Sequence, residues 1–86
     1  MHKVNEVNFQ MMWTPPVFVR IGSGLRERID GPEAALQALT HGWPVCDDKT
    51  YSDAKLQCLE ALVQFGSVER ARNRFISAAL VAGIFA

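Results

Sequence analysis

Residues 15–33, PPVFVRIGSGLRERIDGPE, decide the fold. Val17, Val19 and Ile21 alternate with Phe18 and Arg20, the two-residue period of a half-buried strand. Gly22, Ser23 and Gly24 then supply residues suited to a tight turn, and Leu25, Glu27 and Ile29 resume the alternation against Arg26 and Arg28. The segment therefore predicts a β-hairpin in which Ile21 meets Leu25, Val19 meets Glu27 and Val17 meets Ile29. That register gathers the aliphatic residues on one face, whereas a slip of one residue would set Ile21 against Arg26 and Val19 against Arg28. The opposite face carries Phe18, Arg20, Arg26 and Arg28, a basic strip with one aromatic ring.

Upstream, Thr14, Pro15 and Pro16 enforce an extended approach, since each proline fixes its own φ and pushes the residue before it out of the helical region. Residues 7–13 alternate only weakly, so residues 1–13 form an N-terminal extension with the option of adding a third strand to a single domain over 14–86. Downstream, Asp30, Gly31, Pro32 and Glu33 read as a helix start, with Asp30 as cap and Pro32 in the turn that leaves its amide unpaired anyway. Ala35, Leu36 and Leu39 give this first helix an inner face, and Gly42 before Trp43 and Pro44 stops it. A second helix over 51–65, capped by Asp48 or Thr50, ends at Gly66, and Ser67 opens a third. The expected fold is α+β: an N-terminal β-hairpin packed on three α-helices, the last two an antiparallel helical hairpin.

At 100° per residue, Tyr51, Ala54, Cys58, Ala61, Leu62 and Phe65 share one arc of the second helix. Leu56, Leu59 and Val63 widen that arc and leave Asp53, Gln57, Glu60 and Gln64 as a narrow wet stripe. On the third helix Val68, Ala71, Phe75, Ala78, Ala79 and Ala82 form the stripe, widened by Ile76, Leu80 and Gly83. Trp43, Tyr51, Cys58 and Phe75 are the expected core markers, with the polar atoms of Trp43 and Tyr51 bonded to backbone. Two charges stand out among apolar positions: Glu27 on the inward face of the hairpin and Arg72 on the apolar side of the third helix. Each is costly alone and far less so when joined, so the pair is expected to form a structural ion pair.

The chain has 86 residues, nine Lys plus Arg against nine Asp plus Glu, and 49% hydrophobic residues. At this size about 60 to 65% of the unfolded surface is buried, enough for one core. Zero net charge argues against a domain that holds nucleic acid through bulk electrostatics, so any such contact needs a local patch. Two cysteines do not make a disulfide framework, residues 1–10 carry no export signal, and no apolar run approaches the roughly 20 residues that span a bilayer. A cytoplasmic protein with no membrane partner is the default.

No constellation points firmly to catalysis. His41 and Cys46 flank Trp43 and Pro44 and are followed by Asp47 and Asp48, an order that invites a thiol nucleophile with its base. The plainer account is a histidine at the negative end of a helix dipole, a loop cysteine and capping aspartates. His2, His41, Cys46 and Cys58 lack the local spacing that makes metal ligands converge, so no metal and no cofactor is expected. Gly22, Ser23 and Gly24 have neither the lysine nor the following helix of a phosphate loop.

Pro16 and Val17 before a glycine turn, Trp43 and Pro44 after the first helix, then Tyr51, Ala54, Cys58, Ala61, Leu62, Gly66, Ala71, Arg72 and Phe75 form a recognisable succession. It resembles the short alphaproteobacterial proteins grouped as domain of unknown function 982. The resemblance implies a small hairpin-plus-helices fold and brings no activity with it. The expected function is a non-enzymatic interaction module, a homodimer or a binder of another protein. Its warrant is an apolar helix surface, marked by Leu56, Val63 and Leu80, larger than one hairpin can cover. The alternative is a nucleic-acid-binding regulator using Phe18, Arg20, Arg26 and Arg28. A Cys/His enzyme ranks third.

Overall fold

The structure is a computed structural model that describes residues 11–22, 24–44, 49–64 and 66–86, the side chain of Gln64 aside. The expectations that fall on residues 1–10, on Ser23, on Cys46, Asp47 and Asp48, and on Phe65 lie outside the described residues.

Strands β1 (Val17–Val19) and β2 (Glu27–Ile29) pair antiparallel, with Val17 opposite Ile29, Phe18 opposite Arg28 and Val19 opposite Glu27. The register is the one the alternation predicts, and Val17, Val19 and Ile29 are buried beneath the sheet. The ladder stops there, without the expected pair of Ile21 and Leu25. Ile21 packs toward the end of the first helix, where a Cβ on Gly42 would come within 3.3 Å of its Cγ2. Leu25 points to solvent at 88% exposure, and Glu27 is likewise exposed at the open end of the short strand. Glu27 is therefore not a buried charge.

The other edge of β1 is met by a segment from the far end of the sequence, through an isolated bridge rather than a third strand. Val19 forms an antiparallel bridge with Phe85, the Arg20 N–H donates to the Ile84 carbonyl at 2.9 Å, and the Ala86 N–H donates to Phe18 at 2.9 Å. Thus β1 lies between β2 and residues 84–86. Upstream, Trp13 fastens the outer side of β2 by its backbone N–H to Asp30 and its indole Nε1–H to Ile29, both at 2.8 Å. Gly31 permits this crossing, because a Cβ there would lie 2.9 Å from the Met11 carbonyl oxygen.

Helix α1 (Pro32–Thr40) begins with Pro32 in its first turn, but its cap residue is Gly31, with no side-chain cap. Asp30 instead faces Arg28, at 3.7 Å. The chain leaves α1 through Gly42 at φ +86°, the left-handed turn the sequence predicts. Helix α2 (Lys49–Gln64) starts before Thr50, so that residue sits inside the helix rather than capping it. Helix α3 (Val68–Ala82) is capped by Ser67, whose Oγ accepts from the Arg70 N–H at 3.0 Å. Gly83, at φ +76°, ends α3 rather than extending its stripe, and turns the chain toward β1.

Helices α2 and α3 pack closely because their facing residues are small: Ala54, Cys58 and Ala61 from one, Ala71, Ala78 and Ala79 from the other, all buried. Phe75 fills the centre, with the Trp43 ring at 5.5 Å and the Trp13 ring at 5.9 Å between centroids. Tyr51 lies 6.4 Å from Trp43 and donates its hydroxyl to the Leu39 carbonyl at 2.7 Å. Trp43 is buried as well, but its Nε1–H has no acceptor among the described residues, contrary to the expectation that both rings bond to backbone.

Candidate functional site

Because side chains alternate along a strand, burying Val17 and Val19 turns Phe18 and Arg20 to the opposite face, where Arg28 stands across from Phe18. Arg26 folds back over the Phe18 ring, its guanidinium carbon 4.3 Å from the centroid. Such cation–π contact holds the side chain in place. Arg28 is drawn the other way, toward Asp30. The expected basic strip thus divides: Arg28 is engaged by a carboxylate, and Arg20 and Arg26 meet none among the described residues.

Arg20 and Arg26 border a cleft of about 490 Å³ that continues along Gly22 and the segment 83–86. Among the described residues no acidic side chain lines it. The sequence does not mark the segment 83–86 as a wall of this cleft, since three apolar residues after a glycine carry no periodicity to read.

Arg72 contributes to a different place. Its Nε–H donates to the Pro15 carbonyl at 2.8 Å, and it borders a smaller cleft of about 330 Å³ with Met12, Trp13 and Glu69. Glu27 borders another cleft, beside Ala34, Ala38 and His41 of the α1 region. The expected ion pair between Glu27 and Arg72 is therefore not formed. The burial that motivated it is absent at Glu27, and a backbone carbonyl takes its place at Arg72.

On α2 the core arc falls where the wheel sets it, with Ala54, Cys58 and Ala61 buried, but the wet stripe does not. Asp53, Gln57 and Glu60, expected to be the wet stripe, are half-buried, and Asp53 is approached by Lys49 at 3.2 Å and by Arg74 of α3 at 4.0 Å. Leu56, Leu59 and Val63 face solvent instead, at 51%, 46% and 63% exposure. Leu80, at 59%, is exposed on α3.

Cys58 is fully buried, and desolvation pushes its thiol from the ordinary 9.0 up to about 12, the condition of an inert packing residue rather than a nucleophile. His41 follows α1 as an exposed residue whose backbone N–H returns to Gln37. Among the described residues no three His, Cys, Asp or Glu side chains gather as a metal site, and no helix is long and apolar enough to cross a membrane.

These elements define a small α+β domain, a two-stranded antiparallel sheet packed with three helices. The profile of the family described as protein of unknown function, DUF982, matches residues 15–86, and the chain belongs to that family. Among solved structures it is similar to the NMR structure of the Agrobacterium tumefaciens protein Atu1219, a structural genomics target. The likeness has a TM-score of 0.76 at 24% identity and covers 99% of this chain and 86% of that one, which establishes the shared fold. Comparison with curated proteins returns no match.

Proposed function

We propose that this chain is a non-enzymatic interaction module that associates with a second copy of itself along the outer face of α2. The observation that carries this reading is the exposed line Leu56, Leu59 and Val63. Its spacing of three and then four residues is that of the a and d positions of a helical seam. Lys55 and Glu60 flank the line on opposite sides, at the g and e positions. In two parallel helices a g residue meets the e residue five places on in the partner, so Lys55 of each copy would face Glu60 of the other. Two-fold symmetry makes both contacts at once. A standard interface takes about 800 Å² from each partner, roughly one seventh of the 5528 Å² this chain exposes.

Light scattering at about 50 µM, a scale suited to modest interfaces, tests it. A dimer is expected for the parent and a monomer for Leu59→Glu. Lys55→Glu should weaken the dimer, and adding Glu60→Lys should restore it. A parent that runs as a monomer, or a charge exchange without rescue, overturns the proposal.

A further inference from the structure

We infer that the cleft between the hairpin and the segment 83–86 is a binding site for a phosphate monoester, gripped by Arg20 and Arg26. Both arginines border the same space of about 490 Å³, and among the described residues no acidic side chain lines it. This volume lies within the roughly 300 to 1,000 Å³ typical of small-molecule sites. A guanidinium presents paired N–H donors in a planar fork that matches two oxygens of a phosphate, and two such forks suit a dianion better than a monoanion. Arg26 is also partly organised in advance. Its stacking on Phe18 restricts the side chain before any ligand arrives, which lowers the ordering cost of binding.

The same contact separates this site from a nucleic-acid platform. A base stacked on a sheet needs a free aromatic face, and in this sheet the Phe18 ring already carries Arg26. Arg28, the third basic group a strand of nucleic acid would follow, is turned toward Asp30 and does not border the cleft. Two of the lining residues leave space as well. Gly22 and Gly83 carry no side chain, and a Cβ at either would meet nothing within 4 Å, so a sugar-sized body attached to the phosphate has room beside the backbone.

Amide NMR titration of the full chain with inorganic phosphate and with ribose 5-phosphate tests the site. Saturable shifts are expected at Gly22, Gly83 and the Arg20 and Arg26 side chains, with a Kd on the order of 1 mM or tighter and the sugar phosphate ahead of the free ion. Arg20→Gln and Arg26→Gln should each weaken binding by about 10-fold or more, the value of a charged hydrogen bond. Arg28→Gln should leave it unchanged. Both cleft arginines are exposed, so the amide spectrum of each variant verifies that the fold is kept. Shifts still rising linearly at about 20 mM phosphate, or equal losses from all three arginine variants, overturn the proposal. So does a single-stranded oligonucleotide without a terminal phosphate that binds more tightly than ribose 5-phosphate and loses affinity steeply with salt, because that result assigns the face to polynucleotide.

Discussion

Replacing each of two tryptophans by phenylalanine separates hydrogen bonding from packing in this core. Trp13 and Trp43 are both buried, and both rings lie against Phe75, at 5.9 and 5.5 Å. Either substitution removes the same atoms beside the same neighbour, so the packing loss, about 1 kcal/mol or more, is similar at the two sites. The polar terms have opposite signs. Trp13→Phe breaks the 2.8 Å bond from Nε1–H to the Ile29 carbonyl and leaves that acceptor short of a partner, a further cost of about 1 to 3 kcal/mol. Trp43→Phe removes an N–H that is buried without an acceptor among the described residues and so relieves a penalty of about the same size. The variants should therefore differ by about 2 kcal/mol or more, with Trp13→Phe the weaker. At roughly 4 to 8 °C per kcal/mol for a domain of this size, thermal unfolding should place their midpoints about 8 to 16 °C apart. Near-ultraviolet circular dichroism would check that each variant keeps its tertiary packing. Midpoints that fall equally, or a larger fall for Trp43→Phe, would refute the assignment of opposite polar terms.

The Cys58 thiol is protonated in the folded chain up to about 12 but ionises near its ordinary 9.0 once unfolded. The unfolded state thus binds fewer protons between these values, and stability falls as pH rises through that window. Urea unfolding at about pH 8 and about pH 11 should show a larger loss for the parent than for Cys58→Ala, and equal losses would contradict the burial argument. Arg72→Met should destabilise by about 1 kcal/mol through loss of its bond to Pro15, while Glu27→Gln changes stability by less than about 0.5 kcal/mol. In the double variant the effects should add; coupling above about 0.5 kcal/mol would show that the two side chains interact after all.

The elements were legible where a pattern ran long enough to have a period. Val17, Val19 and Ile29 fixed the hairpin register because any slip would bury arginine, and the small residues of α2 and α3 marked the helix contact at 3.6-residue spacing. Residues 84–86 were not legible as strand, since a few apolar residues after Gly83 suit a helix end, an interface or a sheet edge equally well. Trp13 was hidden for a related reason. Its anchoring depends on the Ile29 carbonyl and on the missing Cβ of Gly31, both of which are tertiary facts. On α2 the wheel located an apolar arc wider than one contact but could not say which part meets the core. The pull of Arg74 on Asp53 is consistent with the polar stripe lying against α3 and the leucines lying outside. At the site, the alternation grouped Phe18, Arg20, Arg26 and Arg28, whereas the division among them rests on Asp30 and on a tail distant in sequence.

The place of residues 84–86 beside β1 has a consequence for the order in which a nascent chain matures. A ribosome makes β1 early and the residues that cover its second edge only after α3 is complete. Helices close their hydrogen bonds locally and need not wait, but this edge depends on contact across most of the polypeptide. During synthesis Val17–Val19 therefore waits with one row of backbone groups unpaired, the kind of template to which a neighbouring chain adheres. The two residues after Gly83 that hydrogen-bond to this edge, Ile84 and, through its own N–H, Ala86, end that exposure once they are made and in place.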